Sequence, residues 1–136
     1  MQLKLSTDYA IRIVLYLSSK NEKSSLEELS QKLGINKKYV LKFSKKLYSS
    51  GIVNIYNNTQ EDISLAKSPS EITMFDIINS MENTIKVNLC LEEDKYCSRF
   101  AIDNCPVRKF YCKLQDNMEN LLKNTTIEVL LEKNGV

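Results

Sequence analysis

Residues 25–51 read SLEELSQKLGINKKYVLKFSKKLYSSG, and this stretch predicts the fold of the N-terminal half. Ser25 begins a predicted capping box, in which its hydroxyl and the carboxylate three residues later each accept a backbone N–H bond. Gly34 tolerates a left-handed turn, and Asn36 is a suitable cap for the next helix, which we expect to stop before Gly51. Two short helices joined by a glycine-containing turn are typical of a helix-turn-helix.

The second helix of this pair is the most basic segment of the chain. A run of charge is most often a solvated surface, but here two β-branched runs, residues 52–56 and 63–65, follow it and predict a β-hairpin, which in this position is a wing. A recognition helix lies in the major groove while its lysines neutralise phosphates. We therefore expect a double-stranded DNA operator as partner, contacted by polar residues of helix and wing: Asn36, Lys37, Lys38, Tyr39, Lys42, Asn57 and Asn58.

The flanking segments are those of an ordinary soluble chain. Residues 7–19 have helical apolar spacing, with Thr7 or Asp8 as the expected cap, and Thr73 with Asp76 predicts a capping box for another short helix. The 136 residues are 43% hydrophobic and 26% charged, with net charge +2. No secretory signal or apolar run long enough for a membrane span is apparent, so we expect a cytoplasmic protein whose thiols stay reduced.

The cysteines suggest a chemical site. Residues 83–104 show no sustained period and form a predicted loop that carries Cys90 and Cys97, and Cys105 directly precedes a helix that opens with proline. These gaps differ from the C-x-x-C pairs of most zinc sites, which disfavours zinc, whereas thiolates spaced along a loop can hold an iron–sulfur cluster. Cysteines that are simply buried apolar residues are the third reading. Cys112 lies roughly 10 Å along the helix from Cys105, which argues against it as a ligand.

The helix after Cys105 has apolar residues at alternating steps of four and three. Such a 3.5-residue period favours helix pairing between two chains, so we expect a homodimer. The seam consists of Val107, Tyr111, Leu114, Met118 and Leu121. The predicted protein is thus mainly α, with a winged helix-turn-helix DNA-binding domain (1–82), a cysteine-bearing loop (83–105) and a long dimerisation helix followed by a short helix that folds back on the core (106–136).

Several stretches together resemble one family. Leu3 to Arg12 with Thr7-Asp8-Tyr9-Ala10, the segment from Leu65-Ala66-Lys67 through Glu71-Ile72-Thr73 to Asp76-Ile77-Ile78, and Cys105-Pro106-Val107-Arg108 are similar to the IscR/NsrR superfamily of bacterial winged-helix repressors. The resemblance implies a dimer that represses or activates promoters. It also implies three cluster ligands at Cys90, Cys97 and Cys105.

The fourth ligand differs among members of that superfamily. In the nitric-oxide-sensing branch it is an N-terminal aspartate from the partner subunit, and Asp8 occupies that position here. The assembly regulator uses a histidine where this chain has Arg108, which excludes that arrangement. One departure concerns the wing, whose tip carries Glu61 and Asp62 where members usually have a basic, glycine-containing tip; these carboxylates would repel phosphate.

The leading hypothesis is a transcription regulator, a repressor, whose operator affinity is controlled by a two-iron or four-iron cluster that senses nitric oxide, redox state or iron–sulfur status. One rival is a cluster-free regulator of cysteine metabolism, controlled by thiol oxidation or a bound enzyme. Another is a zinc-stabilised interaction protein that has lost DNA binding. An enzyme is not expected, because the sequence has no acid–base pair, phosphate loop or nucleophile–histidine pair.

Overall fold

The computed structural model describes residues 2–57, 61–100 and 102–134. Its helices are α1 (Leu5–Lys20), α2 (Leu26–Leu33), α3 (Lys37–Ser49), α4 (Met74–Met81), α5 (Pro106–Lys123) and α6 (Ile127–Asn134), with single 3-10 turns at Pro69–Glu71 and Leu89–Leu91. The strands β1 (Ser24–Ser25), β2 (Val53–Tyr56) and β3 (Asp62–Leu65) form an antiparallel sheet in the order β1-β3-β2. The predicted mainly α, winged helix-turn-helix architecture is confirmed.

The hydrophobic core lies within the N-terminal part of the chain and is completed by its last helix. α1 contributes the fully buried Ile13, and α3 contributes Val40 and Leu47. α6 returns to this core, where Ile127 is fully buried and its N–H donates to the carbonyl of Ile72 at 2.9 Å. We call residues 2–82 together with α6 the head.

Most of the predicted local caps are present. Asn36 Oδ1 accepts the Lys38 N–H at 3.0 Å, so α3 begins where the sequence places it. Gly34 has φ 67°, the left-handed conformation that glycine adopts without strain. Thr73 and Asp76 form the predicted reciprocal capping box at the start of α4.

The predicted cap of α1 is wrong. The helix begins at Leu5, and the buried Thr7 hydroxyl donates a hydrogen bond to the Glu82 carboxylate at the end of α4. Glu82 also accepts the Lys4 N–H at 3.0 Å. Burial alone would raise the pKa of Glu82, but these two hydrogen bonds, together with the positive charges of Lys4 and Lys46, lower that pKa below its usual value. A carboxylate distant in sequence therefore caps α1.

The capping box at α2 is only half formed. Ser25 Oγ accepts the Glu28 N–H at 3.1 Å, as predicted. The Glu28 carboxylate instead accepts hydrogen bonds from the Lys20 ammonium and, at 2.6 Å, from the Tyr16 hydroxyl. The hydrogen bond from Lys20, followed by that from Tyr16, holds the pKa of Glu28 below its usual value. Glu28 thus links α2 to α1 and does not close its own helix start.

Candidate functional site

The recognition helix α3 presents a stripe of lysines to solvent. Successive residues of an α-helix are about 100° apart, so Lys38, Lys42 and Lys45 project opposite the buried Val40 and Leu47. All three lysines are exposed. The hydrophobic spacing that fixes α3 in the core therefore also directs its positive charge outward.

The N-terminal end of α3 is more constrained than the stripe. Lys37 Nζ lies 3.7 Å from Glu27 Oε2 on α2, which partly neutralises this predicted DNA contact. Tyr39 is 43% exposed and stacks on Phe43, with ring centroids 6.0 Å apart and an interplanar angle of 14°. Tyr39 is therefore a fixed, accessible ring, while Lys38 and Lys42 remain the most available cations of the predicted set.

The wing presents polar and aromatic residues at the turn end of β2. Asn57 is exposed at the end of β2, whereas Asn58 lies outside the described residues. The structure also places Lys23 beside the wing, with Nζ 4.2 Å from the centroid of the Tyr56 ring. Sequence reasoning missed Lys23, because β1, which follows it, is too short to give a strand pattern.

Three of the four cysteines line a single cleft next to the start of α5. Cys90, Cys97 and Cys105 share the wall of a cavity of about 340 Å³, and Cys112 lies outside it. Cys90 is buried and the other two are half-buried, and all are thiols. The structure therefore brings together the three predicted ligands and separates the fourth cysteine from them.

Arg108 connects two of the three cysteine-bearing segments. Its backbone N–H donates to Cys105 Sγ at 3.4 Å, so that sulfur is the N-cap of α5, where the helix dipole favours negative charge. Its side-chain Nε donates to the carbonyl oxygen of Cys90 at 3.3 Å. The Asn88 amide also donates to Cys90 Sγ, at 3.3 Å. The cleft thus has a cation and several N–H donors close to its thiols.

The segment that leads into Cys90 is fastened to α5 by Gln115, which is 4% exposed. Gln115 Oε1 accepts the Val87 N–H at 2.8 Å, and its Nε2 donates to the Ile85 carbonyl at 3.0 Å and to Glu119 at 2.9 Å. This buried amide therefore sets where the chain enters the cleft, a role that the spacing of α5 does not reveal.

The three cleft thiols are of the ligand type that iron–sulfur clusters take. Among the described residues, no three His, Cys, Asp or Glu side chains converge closely enough to hold a single metal ion. Zn–S bonds of about 2.3 Å would require sulfurs within about 4 Å of one another. An iron–sulfur cluster spreads its thiolate ligands over several metal atoms, which matches three thiols on the walls of one cleft.

Asp8 is not among the residues that line the cleft of its own chain. It lies on α1 with its side chain 50% exposed, and Oδ2 is 2.9 Å from Arg12 Nη2. An arginine therefore already neutralises this carboxylate. The predicted role of Asp8 as a ligand for the partner subunit's cleft stays a prediction.

The residues of the predicted dimerisation seam do not all face solvent. Val107 is 51% exposed and Leu121 68% exposed, as a partner-facing position requires, and Phe110, which the heptad pattern missed, is 59% exposed beside them. Tyr111 lines the cysteine cleft, as Val107 also does, and Met118 lines an apolar groove against α4. Leu114 is half-buried. The solvent-facing stripe of α5 is thus Val107, Phe110 and Leu121.

Across the part of the chain that the structure describes, no helix has the length and apolar character needed to cross a membrane. The family profile that matches the chain is Rrf2, described as an iron-dependent transcriptional regulator, and the match covers residues 3–133. An Aquifex aeolicus (strain VF5) protein named as an HTH-type transcriptional regulator is 29% identical over 124 residues, which cover 90% of this chain and 86% of that one.

Solved structures show the same fold. The structure of CymR (YrzC), the global cysteine regulator of B. subtilis, has a TM-score of 0.76 at 21% identity and covers 98% of both chains. T. potens IscR has a TM-score of 0.74 at 18% identity, over 98% of this chain and 88% of that one. Because the family profile spans nearly the whole chain and the fold carries an exposed basic recognition helix, the chain belongs to the Rrf2 family of DNA-binding transcriptional regulators and is not an enzyme.

Proposed function

We propose that DNA binding by this regulator is controlled by an iron–sulfur cluster held in the cysteine cleft. The observation that carries the proposal is the shared wall of one 340 Å³ cleft, on which Cys90, Cys97 and Cys105 all lie. Two of these thiols are only half-buried, which packing in a core does not require. A cluster of two or four irons would supply a redox-active and nitric-oxide-reactive centre.

The proposed fourth ligand is Asp8 of the partner subunit. Its carboxylate would either leave Arg12, whose Nη2 lies 2.9 Å from Asp8 Oδ2, and bind the cluster, or contact Arg12 and the cluster at the same time. Either arrangement ties α1 of one head to the cleft of the other chain. A ligand can shift a conformational equilibrium only by binding one state more tightly, so the proposal requires the Asp8 carboxylate to reach the cluster in one arrangement of the two chains and not in the other.

A series of hydrogen bonds and helix contacts connects the cysteine cleft to the recognition helix. Gln115 fastens Ile85 and Val87 to α5, and a few residues earlier Glu82 caps α1. α1 packs directly against α3. A change in the cleft would therefore move the segment that holds the N-terminal end of α1, and with it the packing of α3 in the head.

The proposed active form is a homodimer paired along α5, so that two recognition helices meet a pseudo-palindromic operator. Its support is the exposed apolar stripe of Val107, Phe110 and Leu121. In a monomer this stripe would face water, whereas pairing would bury it. We infer repression as the default output, relieved when nitric oxide or oxidation removes the cluster.

The decisive experiment is anaerobic purification followed by iron and sulfide analysis, absorbance, and operator binding before and after nitric oxide. Serine at Cys90, Cys97 or Cys105 should each abolish or strongly destabilise the cluster, because an alcohol is a poor replacement for a thiolate. Cys112→Ser is the matched control and should retain it. Asp8→Ala should assemble a cluster on three cysteines that is more labile in air. Loss of the cluster in Cys112→Ser with wild-type behaviour in Asp8→Ala would overturn this ligand set.

A second candidate function is a cluster-free regulator controlled by thiol oxidation. The observation in its favour is that Cys97 and Cys105 are half-buried on the same cleft, where an oxidant could reach both. Colourless, iron-free protein whose operator affinity still responds to oxidant, and loses that response in Cys97→Ser, would favour this candidate over the cluster.

A further inference from the structure

The wall of the cysteine cleft carries positive charge without negative charge to balance it. Of the described residues that line the cleft, Arg99 and Arg108 are cationic and none is an aspartate or a glutamate. Throughout the described part of the chain, no carboxylate forms an ion pair with either guanidinium, whereas Arg12 has Asp8 at 2.9 Å. Uncompensated cations around a cleft attract a negatively charged occupant.

The two arginines of the cleft are held differently. Arg108 is half-buried in the first turn of α5, and its Nε donates to the carbonyl oxygen of Cys90 at 3.3 Å. This hydrogen bond brings the guanidinium of the residue that follows Cys105 by three positions to the segment that carries Cys90. Arg99 is exposed, so water and salt screen its charge more strongly. Arg108 therefore supplies the better fixed and less screened charge.

We infer that Arg108, with a smaller part from Arg99, balances the negative charge of the cluster and raises its reduction potential; this inference rests on the proposed function. A cluster held by three cysteine thiolates is anionic, and reduction adds further negative charge. A neighbouring cation stabilises the reduced form more than the oxidised form, which raises the potential. The guanidinium remains protonated and has no lone pair for iron, so Arg108 acts through its charge and not as a ligand.

The test compares the midpoint potentials of anaerobically reconstituted proteins, measured by redox titration with visible absorbance as the signal. Arg108→Gln should shift the potential to a more negative value, while Arg108→Lys, which keeps the charge, should stay closer to the wild type. Arg99→Gln should shift it in the same direction by less. Lys109→Gln is the matched control and should leave the potential unchanged, because it removes one positive charge from an exposed position on the same helix outside the cleft.

Two further measurements make the potentials comparable. Equal iron and sulfide content and the same oxidised spectrum show that each potential refers to the same type of cluster. Thermal unfolding of the iron-free proteins shows that each variant folds.

Equal potentials in Arg108→Gln and Lys109→Gln, shifted or not, would overturn the role of Arg108. If Arg108→Gln retains no cluster, Arg99→Gln becomes the test, since it leaves the hydrogen bond to Cys90 in place. A potential of Arg99→Gln equal to that of Lys109→Gln would then overturn the inference. Wild-type protein that binds neither iron nor sulfide would overturn the proposed function itself, so the two failures are distinguishable.

Discussion

α1 and α5 are the two longest helices of the chain, yet their surroundings differ sharply. α1 buries Ala10, Ile13, Val14 and Leu17 in the head along with two polar residues, whereas the only residue of α5 that the structure buries is Gln115. The apolar residues of α5 are instead half-buried or exposed. One helix is therefore held by its own chain, and the other has apolar surface that its own chain does not cover.

This difference distinguishes the part of the chain that a hydrophobic core stabilises from the part that carries the proposed cluster site. The head is stabilised by a hydrophobic core that a single chain completes. The cysteine cleft is positioned mainly by polar links, chiefly those of Arg108 and Gln115, each of which is individually modest in free energy. A region held in this way can rearrange at little cost, which the proposed sensing role requires.

The largest expected effect tests the uncovered surface of α5. Leu121→Glu should weaken dimerisation by about 2–4 kcal/mol, because it would bury a carboxylate in the pairing stripe. Sedimentation velocity over a range of protein concentrations measures this directly. Asn120→Glu places the same charge on the neighbouring exposed position and should leave the dimer intact. Dimerisation of Leu121→Glu as tight as that of the wild type would remove α5 as the pairing helix.

An intermediate effect should come from the link between α5 and the cysteine segment. Gln115→Ala removes the partners of the Val87 N–H and the Ile85 carbonyl and should cost about 1–3 kcal/mol locally. Hydrogen exchange at residues 85–87 should accelerate, with a smaller change at the N-terminal end of α1 that Glu82 caps, while exchange in the buried middle of α1 stays as slow as in the wild type. Asn117→Ala, an exposed neighbour on α5, is the control. Equal acceleration at residues 85–87 and in the middle of α1 would mean that Gln115 stabilises the head as much as the cysteine segment.

The smallest expected effect belongs to the head. Glu28→Gln weakens the bonds from Lys20 and Tyr16 and should cost about 1 kcal/mol at neutral pH by urea unfolding. Because the folded-state pKa of Glu28 is lowered, its contribution is present above the unfolded pKa of about 4.3 and is lost as pH falls through the folded value. The gap between variant and wild type should therefore close in acid. Glu27→Gln, 64% exposed, should show almost no gap at any pH.

Sequence reasoning succeeded where a residue's partner is close in the chain. Asn36 and the Thr73–Asp76 pair act on backbone groups within three residues, so their roles follow from local spacing. It failed for Glu82, whose partners Lys4 and Thr7 lie at the other end of the head. Such long-range hydrogen bonds depend on how helices pack, and no local pattern encodes them.

The cysteine cleft shows the same difference between local and long-range contacts. Helical rise alone separates Cys112 from Cys105, and the structure agrees with that separation. The contacts of Arg108 and the inward direction of Tyr111 depend on how the loop folds against α5, which no periodicity determines. The candidate ligands could be named from the sequence, but the hydrogen bonds and packing that position them could not.

The return of α6 to the head has a consequence for how the protein is made. A ribosome releases the chain from its N-terminus, so all three cleft cysteines emerge before Ile127, the fully buried residue that α6 adds to the core. Domains fold as units during synthesis, and this one lacks a buried side chain of its core until α6 has been made. Newly made recognition helices therefore gain this support from α6 only after the three cleft cysteines have left the ribosome.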